Sequence, residues 1–298
     1  MPVSTNLAVS LTPAQRKAAA EKVSSEDGVP IYPMSSLAPW TPPTFRTVDL
    51  HRHHVLQRLS ASMRTFSRLG FDFGFAGILC ARDPEFPDAT WVNPLGRNGS
   101  DLSPSDFVLI NANGETVAGK GTVVIAGWAL LAGVLAVLPQ RTAIAHFHTP
   151  YGRALAARGT PIEPLSQDSC MFYERHVVHE RYEGIVDFRE GQIVGKSLAA
   201  INGHLAILRN HGFVTVGNTV DEMAWWLIAA EEVARTQLVA QAAGHIVPIA
   251  AAAATRSRNL LVNPATAAAQ FQQYYETVRR GDPEMFEPVW EDAKSSEQ

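Results

Sequence analysis

The sequence predicts an α/β protein whose largely antiparallel sheet is covered by helices. Three observations carry that expectation. Between residues 44 and 245, strand-like apolar runs alternate irregularly with helical patterns. One stretch, "DFVLINANGETVAG" (106–119), reads as a β-hairpin. No internal repeat or clear linker divides 44–245, so the segment 45–245 is expected to be one domain. It would follow an extended N-terminal arm over 1–44, rich in Pro and Ser. A helical extension with a polar tail would occupy 246–298.

The elements follow in order. From Thr44 to Leu69, the residues Val48, Val55, Leu56, Leu59, Met63 and Phe66 fall near helical spacing, and Gly70 fits a stop. "FDFGFAGILCARD" (71–83) reads as a strand and "TWVNPLG" (90–96) as a short strand into a turn. In the hairpin, Asn113-Gly114 supplies the reversal, because both residues tolerate positive φ. "GTVVIAGWALLAGVLAVLPQ" (121–140) carries no charge, but its unbroken apolar core from Val123 to Leu138 falls short of the roughly 20 residues of a membrane span. Its small residues, Ala126, Gly127, Ala129, Ala132, Gly133 and Ala136, suit a core helix packed closely on all sides.

"RTAIAHFH" reads as a strand, and "PYGRALAARG" (150–159) as a short helix with Pro150 at its start and Gly159 at its end. "YEGIVDF" (182–188) is expected to be a strand and "GQIVGKSLAAING" a helix. "HLAILRNHGFVTVG" (204–217) reads as two strands joined at Asn210-His211-Gly212. Thr219 can cap a long helix from Val220 towards Ala243, with Glu222 at its third position. After an alanine run comes one amphipathic helix, "PATAAAQFQQYYETVRRG".

Composition narrows the function classes. The chain of 298 residues is 46% hydrophobic and 18% charged, a globular balance. A formal net charge of -4 offers no basic face to nucleic acid. The two cysteines, Cys80 and Cys170, are too few for a disulfide framework. With an N-terminus lacking a secretory pattern, they lead to the expectation of a cytoplasmic protein without membrane contact.

The histidines carry the chemistry. His146 and His148 are i and i+2 at the end of an apolar strand, so both imidazoles leave on one face, close enough to grip one ion. His211 lies on a tight turn before Gly212, which permits positive φ and a close backbone approach. Three neutral imidazoles meeting at strand ends would leave coordination positions open, the pattern of a catalytic metal. His51, His53 and His54 spread around the first helix and suit a solvated or interfacial face. His176 and His179, three apart, could be ligands if helical, but their Glu and Arg neighbours point to an exposed segment; His204 and His245 carry no signal.

These same segments resemble the class II aldolase/adducin family. "AHFHTPYGRALAARG" is similar to the family's "HtHsPyatalaalG", in which both histidines bind the metal. "LRNHGFVTVGNTVDEMAWW" (208–226) is similar to its "xNHGxxxvGxtxxEA", in which the histidine is the third ligand. "GFAGILCARDPE" and "WVNPLGRNGSDLSPSDFVLINANGETVAG" match the upstream strands in order and spacing, so the resemblance spans about 50–245. It implies a three-layer α/β/α fold around a central mixed, mostly antiparallel sheet. It also implies one divalent ion per subunit, Zn2+ or Fe2+, on His146, His148 and His211, and a homo-oligomer, a tetramer being favoured. Gly77, Asn93 and Gly96 fall at positions that face substrate in the family.

The departures from the family pattern bear on substrate. The phosphate-holding G-N-x-S-x-R appears here as Gly77-Ile78-Leu79-Cys80-Ala81-Arg82, and T-P-S-G as Asn93-Pro94-Leu95-Gly96. The family's catalytic glutamate has no counterpart, since no Asp or Glu occurs between Glu115 and Glu163. Gln167 lies near the place of the family's proton-donating tyrosine, and Gln167 and Tyr182 are the candidates to assist by hydrogen bonding. Without phosphate anchor and general acid, a metal able to polarise a carbonyl remains. The expectation is a metal-dependent lyase (C–C cleavage or decarboxylation) acting on a small, non-phosphorylated, fairly apolar oxo or hydroxy acid. The alternatives are a non-heme iron oxygenase performing oxidative decarboxylation of an aromatic oxo acid, and an adducin-like non-catalytic scaffold.

Overall fold

Tight turns and helix caps set the frame of the body. The computed structural model describes residues 12–14, 43–75, 77–182 and 187–286. The arm expected over 1–44 and the polar tail after 286 therefore lie almost wholly outside the described residues. Helix α1, Val48–Arg68, begins at Thr47, whose side chain accepts from Leu50 N. Strands β1 (Gly77–Arg82), β2 (Thr90–Val92), β3 (Val108–Ile110) and β4 (Thr116–Ala118) follow as an antiparallel series. The hairpin turn closes at Gly114, φ 82°. Helix α2, Ile125–Ala136, leads to β5, Ala143–Phe147, and then to α3, Pro150–Arg158, which ends on Gly159 in the left-handed region at φ 61°.

Strand β6, His176–His179, precedes helix α4, Phe188–Ala200. Strands β7, Leu205–Leu208, and β8, Gly212–Gly217, are joined by the histidine turn. Helices α5 (Val220–Ala243), α6 (Ala251–Leu261) and α7 (Pro264–Gly281) complete the described chain. Among the described residues the strand order is β4-β3-β2-β1-β5-β8-β7-β6, a mixed sheet in which only β6 and β7 run parallel.

Alternation along β1 sends Leu79 and Ala81 into one apolar cluster and Ile78 and Cys80 into another. The first cluster takes Phe66 from α1, Leu155 from α3, Leu227 from α5 and Phe271 from α7. The second takes Leu131 and Val134 from α2 and Val194 and Leu198 from α4. The small residues of the 121–140 segment permit a close crossing. A Cβ on Gly133 would collide with the Phe188 carbonyl, and one on Gly191 with that of Leu130. That helix is not enclosed on all sides, however, because Ile125, Ala126 and Ala136 are exposed. Among the described residues, no helix is long and apolar enough to cross a membrane.

Several expectations are corrected. The strand expected over 71–83 starts only at Gly77. The one expected over 182–188 does not form at its described residues: Asp187 caps α4 and Phe188 starts it, while 183–186 lie outside the described residues. The strand here is instead His176–His179, where an exposed segment was expected, because its pairing with Leu205–Leu208 comes from a distant segment. At the histidine turn, positive φ belongs to Asn210 (58°) rather than Gly212. Gly212 is needed for proximity, since a Cβ there would sit 2.5 Å from the Phe147 carbonyl oxygen. Glu222 reaches back to Asn218 N (2.6 Å) rather than to the capping residue. The alanine run forms a helix of its own, α6.

Candidate metal centre

The β5 backbone lies between β1 and β8, with Ile78 and Val214 opposite His146. His146 is 5% exposed, and its Nδ1 lies 2.9 Å from the carbonyl oxygen of Phe213. The carbonyl can only accept, so Nδ1 carries the proton and Nε2 presents a lone pair. The Nε2 of His148 is 3.1 Å from that Nε2, and the Nε2 of His211 is 3.3 Å from it. The three rings meet edge to face at centroid separations of 4.6–4.9 Å.

Two imidazole nitrogens on a tetrahedral divalent ion lie about 3.4 Å apart for metal–nitrogen bonds near 2.0–2.1 Å, so this spacing suits a metal. All the donor atoms fall within 4.8 Å of one another, and the group contains no carboxylate. Burial is the largest cause lowering all three imidazoles from 6.5. For His148, with help from His211 and Arg153, the value falls to about 4. The rings are therefore neutral near pH 7, as ligation requires.

Other residues hold these side chains in place. His148 is followed by Thr149 and by α3, whose first turn is capped from α5. The carboxylate of Glu231 accepts the N–H groups of Tyr151 and Gly152, each at 2.8 Å. Glu231 is 6% exposed, and this burial pushes its carboxyl up from the usual range. Asn210 N donates to Ala156 O at 2.9 Å, tying the His211 turn to α3. Sequence reasoning missed Glu231. Its one signal was an acid within the apolar run of α5.

A cavity of about 500 Å³ opens at the same end of the sheet as the triad, where Gly77 pairs with Phe147 and Ile78 with His146; it is lined by Gly77, Ile78, Asn93, Leu95, Gly96 and Phe147 among others, and by none of the three histidines. Gly77 lies against the Phe147 ring, where a Cβ would collide. The side chain of Asn93 is engaged within the sheet. Its Oδ1 accepts from Leu79 N (2.9 Å), and its Nδ2 donates to Gly77 O (3.2 Å). Gly96 turns the chain at φ 79°. Ile78 and Leu95 thus give this wall apolar side chains.

Tyr182 lies edge-on to His211 with centroids 6.1 Å apart and is 55% exposed. Gln167 is exposed at the start of a 3-10 turn whose Met171 and Phe172 join the opposite cluster from Ile78. His176 is a structural clamp, its Nε2 accepting from Ile162 N at 3.0 Å and its Nδ1 lying 2.6 Å from Phe172 O. His179 pairs with Glu190 at 3.1 Å. On α1, His51 is exposed and stacks on Phe45, while His53 and His54 are half-buried. His204, which carried no sequence signal, is buried and stacks on Trp226 at 4.1 Å.

A mixed sheet with three imidazoles meeting at its strand ends defines a class II aldolase-type scaffold. The chain belongs to the family described as Class II Aldolase and Adducin N-terminal domain, whose profile matches residues 57–238. It is 41% identical over 214 residues to the 4-hydroxy-3-prenylphenylpyruvate oxygenase/4-hydroxy-3-prenylbenzoate synthase of Streptomyces roseochromogenus subsp. oscitans, covering 70% of this chain and 76% of that protein. It is 37% identical over 248 residues to the decarboxylase NovR of Streptomyces niveus, covering 82% and 91%. Among solved structures it is similar to an L-fuculose 1-phosphate aldolase from Glaciozyma antarctica PI12, with a TM-score of 0.77 and 32% identity over 83% of this chain and 96% of that one.

Proposed function

We propose that this chain is a divalent-metal-dependent lyase that breaks a carbon–carbon bond, by cleavage or decarboxylation, in a small, non-phosphorylated, fairly apolar oxo or hydroxy acid. The observation that carries this reading is the neutral triad at the same sheet end as a cavity whose wall includes Ile78, the strand partner of His146, and Leu95. The decarboxylase name of one relative, and the prenylphenylpyruvate in the name of another, support an oxo acid with apolar bulk. One Zn2+ or Fe2+ on His146, His148 and His211 would supply a Lewis acid for the substrate carbonyl.

The chain's own residues do the rest. Phe213 O sets the His146 tautomer, and Gly77, Asn93 and Gly96 shape the substrate wall. Tyr182 offers a phenolic proton beside His211. Gln167, on another face, would assist only where a neighbouring subunit brings it to a site. The reading includes a three-layer α/β/α arrangement, supported by apolar clusters on alternate sides of β1, and a cytoplasmic homotetramer.

The second reading, an iron oxygenase, is favoured by the oxygenase name of a relative and by the absence of a carboxylate in the triad. Anaerobic reconstitution with Zn2+, Mn2+, Co2+ or Fe2+, followed by screening aromatic and aliphatic 2-oxo acids with and without air, tests both. Turnover without oxygen supports the lyase. Turnover requiring Fe2+ with oxygen uptake selects the oxygenase. Failure to bind any metal leaves the adducin-like scaffold.

A further inference from the structure

A second cavity, of about 290 Å³, lies at the opposite end of the sheet from the triad, where β8 ends and β5 and β7 begin. Arg141 and Arg175 both line it. So do the starts of two long helices: Asn218 and Glu222 belong to the beginning of α5, Asn263 and Pro264 to that of α7. The first N–H groups of helices of 24 and 18 residues carry partial positive charge and favour anions.

The positive groups are under-compensated. Arg141 is 8% exposed, and its guanidinium donates to Asn218 Oδ1 (3.2 Å), Asn202 Oδ1 (3.1 Å) and Gly203 O (3.3 Å), all uncharged. Its Nε has no partner. The carboxylate of Glu222 is 3.9 Å away, outside hydrogen-bond distance, and the same oxygen accepts from Asn218 N. Arg175 donates to the main-chain carbonyls of Glu174 and Ile201. In the same wall His204, 3% exposed, has an Nε2 without a partner. Buried guanidinium groups are ordinarily paired with an anion. Here a buried guanidinium, the half-buried one of Arg175 and two helix starts face one carboxylate.

We propose that this cavity is a binding site for a small oxyanion, a phosphate or carboxylate group, separate from the metal centre. The test is thermal shift and calorimetry on the full chain with sodium phosphate and with sodium succinate, each against sodium chloride at matched ionic strength. A saturable shift with either oxyanion is expected, and the two arms tell which group is preferred. Asn263→Asp retains a good helix cap while adding a negative charge to the cavity. It should weaken the anion by at least about tenfold while the protein still melts cooperatively. Arg175→Gln should weaken it similarly, and His148→Ala should leave it intact. The proposal is overturned if neither oxyanion shifts the protein beyond chloride. It is equally overturned if Asn263→Asp binds as the parent does, or if binding disappears in His148→Ala, which would move the anion to the histidines.

Discussion

The carbonyl oxygen of Phe213 accepts the Nδ1 proton of His146 at 2.9 Å, so one strand fixes the tautomer of a histidine on its neighbour. The other ring nitrogen of His146 is thereby left as a lone pair facing the Nε2 atoms of His148 and His211.

If those three rings hold one ion, His148→Ala should lose the bound metal and turnover. His53→Ala, on α1, should change little. Elemental analysis of the purified variants checks this. Full metal content in His148→Ala would show the assignment to be wrong.

Gly212→Ala would place a methyl group 2.5 Å from Phe147 O and 3.2 Å from His148 Cδ2. The strands must part there, at a cost of about 1–3 kcal/mol. Denaturant melts should show that loss, and chelator competition should show weaker metal binding.

Glu231→Gln would replace one accepting oxygen by an NH2 group that faces a backbone donor of the α3 start. A stability loss of about 1–2 kcal/mol is expected from the damaged cap. Because His148 precedes that turn, metal affinity measured on folded protein should fall as well. Unchanged affinity would confine Glu231 to the helix.

Asp83 governs part of the acid limb of stability. Burial raises its pKa, but hydrogen bonds from Arg52, Trp91 and the N–H groups of Glu85 and Phe86 outweigh it, bringing the carboxyl from 3.8 to about 2. Because the folded value is the lower one, the carboxylate stabilises the protein above about pH 4. That contribution is lost as pH falls towards 2, and it amounts to about 2 kcal/mol. Asp83→Asn should be less stable at pH 7 by at least that much, with a flatter decline between pH 4 and 2 in urea melts.

The elements with strong local punctuation were legible in the sequence: the α3 helix between Pro150 and Gly159, the Asn113-Gly114 hairpin, and α5 behind Thr219. Propensity, capping and turn chemistry act over a few residues, so they can be read locally. The family and the pairing of His146 with His148 on one face were legible for the same reason, as motif and as period.

The tertiary structure decided what depends on distant chain. That 176–179 became the parallel edge strand turned on Leu205–Leu208. The meeting of His211 with His146 required β8 to lie beside β5, and the Glu231 cap required α5 to pass under α3. The cavity that gathers Arg141, Arg175 and two helix starts draws on four separate stretches of chain. No local pattern encodes these contacts, because each is set by strand pairing and core packing between segments far apart in sequence.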